Sequence, residues 1–508
     1  MKLFESEPDS WESVQLSEVA EINPTNPENP PDDDELASFV PMKSIEEITG
    51  NLDPSETKPW GEIKKGYTRF QERDVLFAKI TPSMENGKCA LAENLENGCG
   101  AGTTELHVIR CGDRLLPKFA LHFVLQEGFR RKAEKNMTGT AGQMRVPKKF
   151  LETAEIPLPS IDEQQIVVAK LEEFLSQLDT GKEELKRANK RLNLYRQSLL
   201  DSGVTGNLSK EWRESTNNNN KASELLKEIL NTRRQKWDER FQEIFKYSGK
   251  EYEKPEKPDT DDLFEVPESW TWTSVNQLGY VMGGLTKNKD KRSSYPHEVP
   301  YLRVANVYAN ELQLDEVKTI RIKDREKNTK ILDEGDLLIV EGNGSKDQIG
   351  RVAMWDGSVE PCSHQNHLIR IKILRDELKK YVLYWLLSGR GRNHITEVAS
   401  STSGLYTLSL TKVRKIPVPL PPAEEVQHIV EEIEKRLTIQ TQVSKTVENN
   451  VRRASTLRQS VLKAAYQGNL TKVEDKMTSI SNTDISSNSN TGTGQQTLRE
   501  FTGGEMND

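Results

Sequence analysis

Apolar positions along this chain fall into two alternating textures. Up to about residue 158, and again over 263–418, short β-branched runs are broken by Gly, Asn and Pro, as in Tyr301-Leu302-Arg303-Val304-Ala305-Asn306-Val307 and Asp336-Leu337-Leu338-Ile339-Val340-Glu341. Runs of that length and composition predict strands, with one helix in each half at 115–126 and 378–387. After Ile156-Pro157-Leu158-Pro159 the prolines stop and helix formers take over. Asp162, followed three residues on by Gln165, predicts a helix start there. Leu171, Leu178, Leu185, Leu192 and Leu199 then recur every seven residues, the seam of a coiled coil. Phe174, Ala188 and Tyr195 fill the alternate seam position, and Gly181 interrupts it. A second, more polar stretch repeats the pattern through Ile433, Val447 and Val461, with Val443, Leu457, Gln440 and Asn450. One unbroken helix over 162–202 would be about 60 Å long.

The textures repeat because the chain does. Arg196-Gln197-Ser198 recurs as Arg458-Gln459-Ser460, and Gly206-Asn207-Leu208 as Gly468-Asn469-Leu470, about 262 residues on. Ile156-Pro157-Leu158-Pro159 recurs as Ile416-Pro417-Val418-Pro419, Asp74-Val75-Leu76-Phe77 as Asp336-Leu337-Leu338-Ile339, and Thr140-Ala141-Gly142 as Thr402-Ser403-Gly404. Each unit opens alike, Pro8-Asp9-Ser10-Trp11 against Pro267-Glu268-Ser269-Trp270. A period that long makes the repeating unit a whole domain plus its helix. The expected fold is α+β: two strand-rich mixed domains separated by two long helices in an antiparallel coiled coil, related by an internal pseudo-two-fold. The expected divisions are 1–158, first domain; 159–212, central helix; 213–262, connector with a helix; 263–418, second domain; 419–472, C-terminal helix; 473–508, a Ser/Thr/Asn/Gly-rich disordered tail.

Composition narrows the class. Charged residues make up 30% of the chain and hydrophobic ones 34%, which suits long solvated helices around modest cores. The amino terminus lacks the apolar core of a signal peptide, and the longest apolar stretch, 381–387, is too short to span a bilayer. Four cysteines without framework spacing fit reduced thiols, so a cytoplasmic protein with no membrane partner is expected. The net charge of −8 hides local reversals. Between Arg130 and Lys149 seven Lys or Arg stand against Glu134 alone, and a second basic run covers 287–292. Positive charge collected in one place, whatever the whole-chain sum, is what a phosphate backbone requires.

No catalytic centre emerges. Asn29-Pro30-Pro31-Asp32 has the two prolines of an amino-methyltransferase signature but Asp32 where an aromatic must stack on the base, and too little chain precedes it to build a cofactor fold. Gly342-Asn343-Gly344-Ser345-Lys346 lacks the Gly-Lys-Ser/Thr order of a phosphate loop and reads as a base-contacting or turn loop. Pro31-Asp32 with Glu62-Ile63-Lys64 matches a nuclease pattern that any chain this rich in charge yields. In Cys362-Ser363-His364-Gln365-Asn366-His367, a strand would put Cys362 and His364 on one face and His367 on the other, unsuited to a tetrahedral metal site. No catalytic residue, metal or cofactor is expected on this chain.

Two domains, each closing with Ile-Pro-x-Pro and followed by a long helix that ends in Arg-Gln-Ser and Gly-Asn-Leu, resemble the specificity subunit of type I restriction–modification systems. The resemblance covers residues 8–474, including Leu225-Leu226, Arg233-Arg234 and Trp237 in the connector. It implies a non-catalytic subunit whose domains each read one half of a split, asymmetric target in double-stranded DNA. It also implies that the helices set the spacer and dock two methyltransferase subunits, which carry S-adenosylmethionine. Restriction/translocase subunits with ATP and magnesium would complete the complex. Arg130 and Arg392, at equivalent positions after matching helices, are then the first candidates for phosphate contact, followed by Lys79, Lys88, Arg145, Arg292 and Lys346. Gln143, Asn86, Asn343 and Asn288 are candidates for base readout, which needs side chains able to pair with base edges. Helix packing falls to Leu171, Leu178, Leu185, Leu192, Leu199, Ile433, Val447, Leu457 and Val461. Two other readings stay open: a coiled-coil scaffold that binds proteins only, and a methylase or nuclease whose motifs are unrecognised.

Overall fold

The computed structural model describes residues 11–140, 142–216, 220–238, 252–346, 348–402 and 405–470. The tail 473–508 and the end of the connector's helical stretch lie outside the described residues. Two compact units emerge, one of residues up to Lys186 together with those from Glu448 on, the other Arg187–Val447. Among the described residues no helix is long and apolar enough to cross a membrane.

Each unit is built on the same four-stranded antiparallel sheet. In the first the order is Ala20–Ile22, Leu106–Cys111, Val75–Ala78, Cys89–Leu91; in the second it is Gly279–Gly283, Leu368–Ile373, Leu337–Val340, Val352–Met354. Val75–Ala78 and Leu337–Val340 are buried at every position because both sheet faces are covered. Alternation divides their side chains: Val75 and Phe77 face a helical layer, whereas Leu76 and Ala78 pack with Val40, Phe70 and Val108 toward a second, mixed sheet. The same division separates Leu337 and Ile339 from Leu338 and Val340. The Ile-Pro-x-Pro element closes each domain as a strand, Glu155–Leu158 pairing with Glu12–Gln15 and Pro417–Leu420 with Thr271–Ser274.

The expected helices are present as Pro117–Val124 and Asp376–Leu387. A second helix follows each, Glu127–Lys135 and Gly389–Val398, which the apolar pattern did not reveal. The two long helices are Ile161–Val204 and Ala423–Ala465. Ser160 and Glu163 make the capping exchange at the first start, so Asp162 and Gln165 do not; Gln164, fully buried, instead bonds the Leu116 amide and the Arg114 and Pro159 carbonyls. In the connector, Ala222–Lys236 is helical and buries Leu225, Ile229 and Arg233 against the second domain.

Leu171 and Leu199 are fully buried, at the ends where the long helix meets a domain, whereas Leu178, Leu185 and Leu192 are half-buried. Leu178 and Leu457 pack on the first core, with Val461 inside it; Ile433 lies inside the second. Val447 is buried, and so is the polar Gln440. Val443 is 43% exposed and lies off the seam; Ser444 takes the seam position and donates to Asn189 Oδ1 at 3.0 Å. Within each unit the helix segments run antiparallel, Asp179 meeting Arg458 in the first and Gly203 lying against Ile429 and Ile433 in the second.

Candidate nucleic-acid interface

In each unit a hairpin follows the second helix and adds to the end of a sheet strand. In the first, Thr138 and Arg145 exchange backbone bonds of 2.9 and 2.8 Å, and Ile80 bridges to Arg145. In the second, Ser400–Thr402 pairs with Leu405–Thr407, and Gly342 pairs with Thr407. The anchoring bonds correspond: the Val146 amide donates to the Lys79 carbonyl at 2.8 Å, the Leu408 amide to the Glu341 carbonyl at 2.7 Å. The result is a ribbon in each domain, made among the described residues of the strand-end loop (79–88, or 341–346 and 348–351) and the hairpin (138–140 and 142–146, or 400–402 and 405–408).

The candidate residues divide on this geometry. Gln143, Asn86 and Lys346 stand on the ribbons and are exposed, Asn86 donating to Glu47 at 3.0 Å. Asn343 lies in the strand paired with Tyr406, so the Gly342–Lys346 segment is strand and turn rather than a phosphate cradle. Arg145 grips Glu105 through two bonds of 2.8 Å, and this holds the Glu105 carboxyl below its usual range. Lys79 is half-buried beside that pair, and burial lowers its ammonium. Lys88 turns inward, donating to the Met42 and Ile45 carbonyls at 3.1 and 2.7 Å. Arg292 lies off the ribbon, bonding the Thr286 and Arg321 carbonyls and Glu326, with exposed Asn288 just before the short helix Lys289–Arg292. Arg130 is 8% exposed and donates to the Glu85 carbonyl at 2.6 Å, so most of its side chain is packed into the domain. Arg392 is half-buried, its guanidinium beside Gly350.

The outward charge next to the first ribbon comes from neighbours instead. Arg131, Lys135, Lys148 and Lys149 are all exposed, on the helix before the hairpin and the short helix Lys148–Glu152 after it. In the second unit Arg351 reaches over the Tyr308 ring, 4.7 Å from its centroid. The basic count over 130–149 located the first of these groups; the hairpins were invisible because Gly, Thr and Ser carry no apolar alternation. The repeat offset applied to Ile80 and Arg145 would have located Gly342 and Thr407.

Cys362 and His364 lie inside the second domain. Burial pushes the Cys362 thiol up to about 12 and the His364 imidazole down to about 3.

Residues 8–190 and 267–453 match the family described as type I restriction modification DNA specificity domain. Among similar proteins, the type I restriction enzyme EcoEI specificity subunit of Escherichia coli is 28% identical over 84% of this chain and 77% of its own length. The EcoAI specificity subunit of Escherichia coli is also 28% identical with the same coverage, and the EcoKI specificity subunit of strain K12 is 25% identical over 80% and 77%. The fold is shared with a chain from a study of complex assembly and conformational transition of the type I R-M system: TM-score 0.65 at 17% identity, over 92% of this chain and all of that one. It is shared with the HsdS subunit from Thermoanaerobacter tengcongensis at TM-score 0.53 and 17% identity, over 91% and 98%.

Proposed function

Given that the chain belongs to the type I restriction–modification specificity subunits, we propose that its two domains each read one half of a bipartite, asymmetric target in double-stranded DNA. The observation that carries this reading is the duplicated ribbon, the same strand-end loop and hairpin on two domains of unlike loop sequence. Polar side chains on such ribbons reach base edges while neighbouring cations hold the backbone. This reading assigns the former role in the first domain to the exposed Gln143 and Asn86, and the latter to the exposed Arg131, Lys135, Lys148 and Lys149. In the second, Lys346 and Arg351 stand on the corresponding loop. The chain supplies no chemistry in this reading. Two methyltransferase subunits docked on the long helices bring S-adenosylmethionine, and restriction subunits bring ATP-driven translocation with magnesium.

The test is genome-wide mapping of methylated adenine in cells that express the chain with its methyltransferase subunits. One motif with two fixed halves and a fixed gap is expected. Deleting 182–188 together with 444–450 keeps both seams in phase and shortens each helix by about 10.5 Å. The gap should contract by about three base pairs, at ~3.4 Å each, with both half-sites unchanged. An unchanged gap with an altered half-site would show that the helices do not set the spacing. Methyl transfer by the chain alone would contradict a non-catalytic role.

A further inference from the structure

The first domain buries an arginine beneath a glycine turn of the strand-end loop, and the second sets a half-buried one beside the corresponding glycine. Gly87 has φ +73°, where only glycine is unstrained, and a Cβ there would lie 3.1 Å from Arg130 Nη1 and 3.2 Å from its Cζ. That nitrogen also donates to the carbonyl of Glu85, two residues earlier. In the second domain Gly350 has φ +65°, and a Cβ there would meet Ile395 at 2.4 Å, with Arg392 Nη1 3.3 Å away. Arg130 and Arg392 each stand three residues into the helix that precedes the hairpin, Glu127–Lys135 and Gly389–Val398. The loops themselves differ, Pro82-Ser83-Met84-Glu85-Asn86-Gly87 against Gly344-Ser345-Lys346 and onward to Gly350. A guanidinium is expensive to desolvate, and an apolar side chain would fill the same space. What it adds at Arg130 is a rigid, planar donor group that reaches the loop backbone, Nη1 to the Glu85 carbonyl.

We infer that Arg130 and Arg392 are positioning residues that hold differing reader loops in one frame, so that each governs base discrimination in one half-site without touching DNA. This rests on the bipartite recognition reading above. The Arg130 charge, buried against a loop carbonyl, releases no counterion from DNA, so its removal leaves the salt dependence of binding intact. A loop freed from its anchor moves its base-contacting side chains, so discrimination falls.

The experiment uses the full chain in complex with its methyltransferase subunits, measuring DNA affinity against salt and against single-mismatch targets. In Arg130→Met, discrimination at one half-site should fall from roughly 10- to 100-fold per mismatch to under about threefold. The other half-site should stay intact, and the slope of log affinity on log salt should not change. Arg392→Met should relax the opposite half-site. Arg130→Lys, which keeps the charge but loses the planar group packed under Gly87, should resemble Arg130→Met. Gly87→Ala, pressing on the guanidinium from the loop side, should relax the same half-site as Arg130→Met, and it carries the test if that variant fails to assemble. A slope lowered by about one with discrimination preserved would make Arg130 a phosphate ligand and overturn the inference. So would unchanged discrimination in Arg130→Met, or in Gly87→Ala where only that variant assembles. A wild-type complex with no bipartite preference would instead overturn the recognition reading itself.

Discussion

Asp74 keeps a carboxylate inside the first domain because Arg110 meets it with two bonds, 2.9 and 2.8 Å long. Asp336 and Arg370 form the corresponding ion pair in the second domain. Burial pushes both carboxyls above their ordinary range, and the arginines pull against it. Removing one member strands the other in a poorly solvated site. Asp74→Leu alone should therefore destabilise the first domain by about 3–5 kcal/mol, and Asp74→Leu with Arg110→Leu should recover most of that loss. Urea unfolding of wild type, both single variants and the double variant measures this; a double variant as unstable as the sum of the singles would show the two groups to be uncoupled. The repeat displayed both aspartates, since each opens the matching Asp-x-Leu run. It did not display the arginines, which arrive from the neighbouring strand by register rather than by local spacing. Arg130 shows the complementary limit: its position after a helix was legible in the sequence, and the direction of its side chain was not.

Helices carry the attachment of each domain to its long helix. Lys118 on Pro117–Val124 pairs with Glu172 at 2.8 Å, and Lys380 pairs with Glu434 at the corresponding place in the second unit. His122, 3.9 Å from Glu172, and Lys118 hold the Glu172 carboxyl down at about 2. A carboxyl lowered on folding adds stability above its unfolded pKa and loses it as pH falls through the folded one. The contribution of Glu172 should be complete above pH 4.5 and vanish toward pH 2. Thermal unfolding of wild type and Glu172→Gln should thus give a Tm difference that is full near neutrality and narrows with acid below that upper limit. A difference that grows on acidification would show that the pair does not act as an ion pair. At this scale the leucine heptads revealed the long helix but not which seam positions are buried. Leu171 and Leu199 owe their burial to the domains they touch, which no periodicity encodes. The Arg-Gln-Ser repeat gains a physical meaning in the first unit, where Gln459 accepts the Glu127 amide at 2.8 Å and Arg458 binds Asp179.

At the scale of the whole molecule the duplication was the legible feature, because two copies of a pattern reinforce each other where one copy is weak. Less visible was that the units are unlike in their use of the chain. The second is continuous, Arg187–Val447, whereas the first combines residues up to Lys186 with residues from Glu448 on. Val461, Leu462, Ala465 and Tyr466 belong to the first core, and the Tyr466 hydroxyl bonds the Phe119 carbonyl. Translation delivers these parts in an awkward order. The ribosome releases the first domain early, then holds it without its closing helix until nearly all of the second has been made. Contacts that span so much sequence form late. A nascent chain halted after residue 447 should protect the second unit from protease and leave the first open, and release of the remaining residues should close it. Protection of residues 11–186 in the halted chain would show that the first domain folds without its far end. If it does not, the domain made first is the one completed last, and it depends longest on chaperones.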